Sequence, residues 1–211
     1  VLNDCGAHYR FGAPLDIRWL AAGWSSHFEF FRDGLRVRAD FVTRPPRLTQ
    51  ERLAHLCIEQ EVCNPVFLNA VDLIETKKTN LEKDYAVIAA LAETITGVSD
   101  RLLYSRSARE LIELAAQYPE NAARVAKKRP VLTLIPGGLE GLEAALDAER
   151  RKFMHANESR LALYMAAAEK WAQIWPGVSR KIADIQLEDA HVAMVDAAKS
   201  ILPVNVPGGW P

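Results

Sequence analysis

The pattern of apolar and polar positions changes near residue 69. Before that point, three segments have strand patterns: residues 15–20, 27–31 and 35–42. The third alternates with a period of two, which is typical of a strand with one buried face. Asp33-Gly34 separates the second and third segments, and this dipeptide between apolar runs predicts a tight antiparallel hairpin. The two prolines at 45 and 46 end the predicted sheet, because proline cannot donate to a strand ladder.

After residue 69 most of the chain has helical periodicity. Asn69 is the predicted N-cap of a helix over residues 70–78. A longer helical stretch covers 139–175, where Pro176-Gly177 is expected to end it, and a last helix covers 187–201. The pattern predicts an α+β fold. A small mixed or antiparallel sheet with helices occupies residues 1–101, and an α-helical C-terminal domain occupies residues 102–211.

Composition and charge narrow the classes of function. Of the 211 residues, 49% are hydrophobic and 25% are charged, the balance of a folded globular protein. The net charge of −1 gives no general attraction to nucleic acid or anionic membranes. No apolar run approaches the ~20 residues of a membrane-spanning helix, so we predict no membrane partner. The three cysteines lack metal-site spacing, which favours a reducing cytoplasm.

Two aspartates in the first part of the chain are candidate metal ligands. Asp16 follows a glycine-containing turn at the start of the first predicted strand, where a carboxylate could bind a metal ion at the sheet edge. A solvated strand end or a turn cap is the alternative role. Asp40 lies on a neighbouring strand and shares a face with Arg36 and Arg38. An ion pair between Arg38 and Asp40 is the alternative there.

A lysine-rich turn joins two predicted helices in the middle of the chain. Lys77 and Lys78 end the first helix, a short polar turn follows, and Lys83 and Asp84 open the next helix. Lysines at a helix C-terminus are commonly solvated partners of the helix dipole. Lysines gathered around a turn can instead neutralise a polyphosphate.

Residues 65–78, followed by Lys83-Asp84, resemble a motif of bacterial nucleotidyltransferase-like proteins. These proteins belong to the polymerase-beta-like superfamily, near the toxin enzymes of abortive-infection systems. Their motif has a strand, a small cap residue, a helix of the form Asp-Leu-Ile-x-x-Lys, a turn, and Lys-Asp at the start of the next helix. Here the helix motif runs from Asp72 to Lys77. The resemblance covers residues 10 to 95.

The first part of the chain agrees with this family in outline and departs from it in detail. Asp16 falls at the family's first metal-binding aspartate, and Asp40 matches its later strand aspartate. Arg18 stands where the family has a second aspartate; it would repel a metal ion but could clamp a phosphate. The middle turn is about one residue short, and an acidic residue often found after Lys-Asp is missing. The glycine-rich strand and helix that normally precede the aspartates are absent or lie upstream of Val1.

The resemblance implies a nucleotidyltransferase that moves a nucleotidyl group from a nucleoside triphosphate to an unknown acceptor, such as a protein or an RNA, with Mg²⁺. The implied site places Asp16 and Asp40 on the metal and assigns nucleotide contacts to four further residues: Arg18, Lys77, Lys83 and Asp84. An alternative is a catalytically inactive nucleotide-binding protein or an antitoxin-like interaction protein. A purely helical scaffold is the third interpretation. The oligomeric state is open.

Two further polar groups have mainly structural interpretations. The segment Trp24-Ser25-Ser26-His27 could suggest a serine–histidine arrangement, but no nucleophile elbow surrounds it, which favours simple packing in the hairpin. A basic run ends at Arg129 and includes Lys127 and Lys128. We interpret it as a solvated helix end, with a contact to RNA phosphate as the alternative.

Overall fold

The chain is an α+β protein in the computed structural model, which describes residues 1–45, 47–63 and 66–208. The strands are β1 (His8–Tyr9), β2 (Ser26–Arg32) and β3 (Leu35–Phe41). The helices are α1 (Ile17–Leu20), α2 (Gln50–Gln60), α3 (Ala70–Lys77), α4 (Glu82–Glu93), α5 (Val98–Tyr104), α6 (Ala108–Gln117), α7 (Pro119–Ala126), α8 (Gly138–Ala167), α9 (Glu169–Ile182) and α10 (Leu187–Ala198). A 3₁₀ segment, Pro130–Gly137, precedes α8.

The predicted hairpin is confirmed. The three strands form an antiparallel sheet in the order β1-β2-β3, and Phe30 of β2 pairs with Val37 of β3. Asp33 and Gly34 have φ angles of 52° and 75°. Both values lie in the left-handed region, as a two-residue turn between twisted strands requires.

The strand predicted over residues 15–20 is wrong, because this segment contains the short helix α1. Asp16 caps the helix: its Oδ1 accepts a hydrogen bond of 2.9 Å from the backbone N–H of Arg18. Trp19 and Leu20 are both buried, whereas consecutive residues of a strand would point to opposite faces. The cap and the burial of two adjacent side chains together favour the helical turn.

The predicted end of the long helix at Pro176-Gly177 is also wrong. The helical run breaks earlier, at Ala168, and Pro176 lies inside α9. Proline removes one backbone hydrogen bond within a helix. Trp171 and Ile182 are buried on α9, and we attribute the continuity of the helix to this packing. The last helix, α10, ends at Ala198, three residues before the predicted end.

The chain divides into two compact units. The first combines Val1–Pro45 with the described residues from Ser159 onward, and the second contains the described residues between them, up to Glu158. The boundary expected between residues 101 and 102 therefore falls inside α5, within the second unit. Sequence patterning does not reveal the division, because the first unit joins the two ends of the chain.

Tryptophans hold the two ends of the chain together in the first unit. Trp19 and Trp171 are each 1% exposed and belong to one core with Phe28 and Met194. The indole N–H of Trp19 donates to the carbonyl oxygen of Leu202 at 3.1 Å. These contacts satisfy the polar end of a buried ring, which otherwise costs free energy.

The second unit is helical and has two apolar clusters. One surrounds Leu102, Leu111 and Leu142, and the other surrounds Ile74 and Ile88. The predicted start of α3 is confirmed, because the Asn69 side chain accepts a hydrogen bond of 2.9 Å from the backbone N–H of Asp72. The start of α4 around Lys83-Asp84 is confirmed as well.

None of the helices in the described part of the chain is both long and apolar enough to cross a membrane.

Two glycine substitutions should have opposite effects on stability. Gly34 has a φ of 75° in the hairpin turn, so Gly34→Ala should lower the free energy of unfolding by about 1 kcal/mol. Gly141 lies inside α8, and a Cβ there would meet nothing within 4 Å. Gly141→Ala should raise stability by up to about 1 kcal/mol. Urea denaturation measures the change in the free energy of unfolding for each variant. An increase in stability for Gly34→Ala would contradict the turn geometry.

Candidate functional site

The second unit contains a strongly basic pocket of about 610 Å³, within the size range of small-molecule sites. Among the described residues that line it, six are basic and two are acidic. The basic residues are Arg47, Lys78, Arg106, Lys128, Arg129 and Lys152, and the acidic residues are Glu75 and Glu149. The walls also carry the aromatic rings of Tyr85, Tyr104 and Phe153. The lining therefore has a surplus of positive charge beside aromatic surface.

Glu149 of α8 holds two arginines at this pocket. Nε and Nη2 of Arg129 donate to the two carboxylate oxygens of Glu149 at 3.1 and 2.9 Å. Arg106 Nη1 donates to Oε2 of the same carboxylate at 2.5 Å. Arg129 also donates to the backbone carbonyls of Leu102 and Ser105, at 3.0 and 2.8 Å. These bonds explain how a guanidinium that is only 5% exposed remains paired.

The charges in this network shift one another's pKa values. Burial lowers the pKa of Arg106, and the Glu149 carboxylate opposes that effect. Burial by itself raises the pKa of Glu149. Hydrogen bonds and charge from Arg129, together with the charge of Arg106, outweigh burial and hold that pKa below its usual value. One carboxylate between two guanidinium groups leaves a net positive charge in a partly desolvated place, where charge interacts more strongly than in water.

Lys78 brings a further cation to the pocket from the C-terminal end of α3. Its Nζ lies 2.7 Å from Oε1 of Glu75 and 5.0 and 5.3 Å from the ring centres of Tyr104 and Phe153. Burial lowers the pKa of Lys78. The guanidinium of Arg47 lies 4.5 Å from the Phe153 ring centre. Aromatic faces thus support two of the cations.

Asp16 and Arg18 form an ion pair with each other. Arg18 donates to both carboxylate oxygens of Asp16, at 2.8 and 2.7 Å, and this pairing lowers the pKa of Asp16 to about 2. Asp16 also caps α1. This is the alternative role of a turn cap that the sequence left open. Arg18 therefore pairs with Asp16, which is the residue that the resemblance assigns to the metal.

Asp40 does not pair with Arg38. Its Oδ1 lies 2.5 Å from Nδ1 of His27, whereas Arg38 lies 3.4 Å from Glu29. The register explains this arrangement, because Asp40 stands opposite His27 and Arg38 stands opposite Glu29 across the β2–β3 pair. Arg36 joins the same glutamate at 2.7 Å.

Two of the residues predicted to bind phosphate at the middle turn, Lys77 and Asp84, form a small cluster with Thr79. Lys77 Nζ lies 3.6 Å from Oδ1 of Asp84. Asp84 is buried and accepts a hydrogen bond of 2.6 Å from the hydroxyl of Thr79. Lys83 is exposed. This cluster links the ends of α3 and α4, and none of its members lines the basic pocket.

The predicted site residues are therefore divided between the units. Asp16, Arg18 and Asp40 belong to the first unit, and Lys77, Lys83 and Asp84 belong to the second. Among residues 1–45, 47–63 and 66–208, no three His, Cys, Asp or Glu side chains cluster so that they could hold a metal ion.

Sequence reasoning missed the basic pocket, although two signals were present. Lys78 is the neighbour of the predicted Lys77. Lys128 and Arg129 end the basic run that we interpreted as solvated; Lys128 is exposed, but Arg129 is buried. Its partner, Glu149, is twenty residues further along the chain. No local pattern connects the two residues.

No protein-family model, curated protein or solved structure matches this chain.

Replacing Glu149 should destabilise the protein strongly. Glu149→Gln leaves the buried guanidinium of Arg129 and the partly buried guanidinium of Arg106 without their carboxylate. We expect a loss of about 3 kcal/mol in the free energy of unfolding. Because the folded pKa of Glu149 lies below its usual value, its contribution is present above the unfolded pKa and is lost as the pH falls through the folded pKa. Denaturant melts between pH 7 and pH 3 measure both effects.

Glu143→Gln, at an exposed position of the same helix, is the control and should change stability by less than about 0.5 kcal/mol. Equal effects of the two variants would contradict the proposed pairing.

Proposed function

We propose that this protein binds the phosphate groups of a nucleotide in the basic pocket of the second unit. The surplus of positive charge that lines this pocket carries the proposal. Arg106 and Arg129 share a single carboxylate. Glu149 therefore neutralises only one of their two positive charges, and the negative charge of a bound phosphate can neutralise the other. Guanidinium groups match the geometry of phosphate oxygens.

The aromatic part of the lining supports a nucleotide over a simple inorganic anion. Tyr85, Tyr104 and Phe153 line the same pocket as the cations. Aromatic side chains are the usual stacking surface for a nucleobase. The pocket can thus offer charge to the phosphates and aromatic surface to the base.

The size of the pocket and the charge of the chain favour a small ligand over a long nucleic acid. The pocket holds about 610 Å³, which suits a mononucleotide. The whole chain has a net charge of −1. A protein that binds a nucleic acid backbone normally presents an extended basic surface.

Magnesium-dependent nucleotidyl transfer is the second candidate. It rests on the resemblance of residues 72–77 and of Lys83-Asp84 to the nucleotidyltransferase motif. Asp40 is 59% exposed, so its carboxylate is accessible to an ion. Asp16 and Asp40 would bind Mg²⁺, and Lys77 and Lys83 would contact the triphosphate. Nucleotide binding in the basic pocket needs none of these four residues.

Lysine variants should locate the nucleotide. Lys128 and Lys152 are exposed and line the pocket, so Lys128→Ala and Lys152→Ala should each weaken ATP binding about fivefold, which corresponds to about 1 kcal/mol. Lys127→Ala, next to the pocket residue Lys128, is the matched control and should leave the affinity unchanged. Isothermal titration calorimetry with ATP, inorganic triphosphate and adenosine separates the phosphate contribution from that of the base.

The same titration distinguishes the two candidates. Weaker ATP binding in Lys83→Ala, with normal binding in Lys152→Ala, would contradict nucleotide binding in the basic pocket. It would support the nucleotide contacts that the resemblance implies. Loss of affinity at Lys152 and none at Lys83 supports the basic pocket. The affinity should also fall as salt rises, because exposed charges are screened.

A melt with magnesium tests the transferase candidate directly. If Asp16 and Asp40 bind Mg²⁺ together with a nucleoside triphosphate, the pair of ligands should raise the melting temperature by mass action. Asp40→Asn should abolish the additional rise caused by magnesium. The rise that ATP causes in the presence of EDTA should survive this substitution, since it belongs to the other unit. A wild-type protein whose melting temperature does not respond to magnesium would reject the metal site while leaving nucleotide binding intact.

A further inference from the structure

Three polar side chains of the first unit form a continuous hydrogen-bonded chain. Ser25 Oγ lies 2.8 Å from Nε2 of His27. Nδ1 of the same imidazole lies 2.5 Å from Oδ1 of Asp40. The order is serine, histidine, carboxylate, with the imidazole bonded through both of its nitrogens.

For a neutral imidazole, the two partners select one tautomer of His27. An ionised carboxylate can only accept, so the proton must be on Nδ1 of His27, which donates to Asp40. Nε2 of the neutral ring is then an acceptor, and the Ser25 hydroxyl donates to it. This is the arrangement in which a histidine can remove the proton of a serine nucleophile.

Three backbone features position the chain of hydrogen bonds. Ser25 directly precedes β2, and His27 is the second residue of that strand. Asp40 stands opposite His27 in the β2–β3 register. Gly12 lies against the imidazole so closely that a Cβ at position 12 would come within 2.6 Å of Cδ2 of His27. The absence of a side chain at Gly12 therefore permits the observed position of the ring.

Ser25 and His27 open onto an apolar pocket of about 280 Å³. Its walls include Phe11, Trp24, Leu161, Met165, Ala168 and Ala172. The guanidinium-bearing residue Arg160 also lines it. The lining offers apolar surface for a short acyl or aryl group and a positive charge for an oxyanion.

We propose that Ser25 is the nucleophile of an ester-hydrolysing site in the first unit, with His27 as its base and Asp40 as the positioning residue of His27. The substrate class is a small ester with an apolar acyl group. This activity is separate from the nucleotide binding that we propose for the second unit.

The reaction has two steps. Ser25 Oγ attacks the ester carbonyl carbon, its proton passes to Nε2 of His27, and the carbonyl electron pair moves onto oxygen near Arg160. When that pair returns, the bond to the alcohol oxygen breaks, and Nε2 gives its proton to the leaving alcohol. Water then attacks the acyl-serine carbonyl and loses a proton to Nε2. The acid is released as the bond from carbon to Oγ breaks, and the proton returns to Ser25.

The exposure of Asp40 bears on the rate. Its side chain is 59% exposed, so water screens its interaction with His27. We therefore expect Asp40 to contribute less than a buried carboxylate would. Ser25 and His27 carry the reaction, and Asp40 fixes the tautomer and orientation of the ring.

Covalent labelling tests the nucleophile. A fluorophosphonate probe should add to wild-type protein with loss of fluoride, and peptide mass spectrometry should locate the adduct on Ser25. Hydrolysis of p-nitrophenyl butyrate should be measured in EDTA, so that a metal plays no part. Ser25→Ala should abolish both the adduct and the hydrolysis above background.

The neighbouring serine provides a matched control. Ser26 is fully buried, and among the described residues its hydroxyl has no hydrogen-bond partner. Ser26→Ala should therefore fold, take the label and hydrolyse the ester like the wild type. An unlabelled wild-type protein, or hydrolysis that persists in Ser25→Ala, would overturn the proposal.

Three more variants test the partners of Ser25. His27→Gln should lower kcat about 100-fold, the usual contribution of a general base. Asp40→Asn should lower kcat about tenfold with an unchanged KM, where kcat is calculated per site that the fluorophosphonate probe titrates, so that a loss of folded protein does not count. Gly12→Ala should slow labelling by displacing the imidazole while leaving all three polar groups in place. Thermal melts establish that each variant is folded, and unchanged kcat in folded His27→Gln would also overturn the proposal.

Discussion

The second unit depends on a partly buried carboxylate that is shared by two guanidinium groups. Glu149 of α8 pairs with Arg129, before the 3₁₀ segment, and with Arg106, after α5, so one side chain joins three parts of the chain. Buried charges must be paired, and this requirement fixes where those parts meet. Because one negative charge faces two positive charges, the same pairing that stabilises the unit leaves its pocket electropositive. The stability of the unit and the anion binding that we propose for its pocket therefore have one origin.

The first unit repeats this arrangement around Glu29 of β2. The Glu29 side chain is 10% exposed and lies within 4 Å of His8, Arg10, Arg36 and Arg38. Hydrogen bonding to Arg36 is the main effect that lowers the pKa of Glu29. Because Glu29 attracts the strand arginines, Arg38 is not available to Asp40. The carboxylate of Asp40 faces His27 instead. The pairing of Glu29 with the arginines of this hairpin thus leaves Asp40 to His27, and the hydrogen bonds from Ser25 to His27 to Asp40 result.

Local signals predicted the elements that local interactions determine. Asp33-Gly34 was sufficient for the hairpin, and Asn69 was sufficient for the start of α3, because each turn or cap is made by the residues themselves. Residues 15–20 were misjudged, because the Asp16 cap and the burial of both Trp19 and Leu20 favour a helical turn. Pro176 was misjudged, because packing of α9 continues the helix through it. The basic pocket could not be predicted either. Arg106 and Arg129 are 43 and 20 residues from Glu149, and a run of cations does not reveal a partner at that distance. His27 and Asp40 were visible separately, but only the strand register joins them.

Protonation of Glu149 at low pH would have opposite effects on the charge of the pocket and on the stability of the second unit. Protonation of Glu149 would remove the carboxylate that competes with a bound phosphate, so the pocket would become more positive. The same protonation would leave Arg106 and Arg129 without their partner and weaken the fold. Arg129, Arg106 and Lys78 keep the pKa of Glu149 below its usual value, so both effects occur only at lower pH. The carboxylate is therefore retained at neutral pH, where it lowers the pocket's attraction for anions and holds in place the cations that provide that attraction.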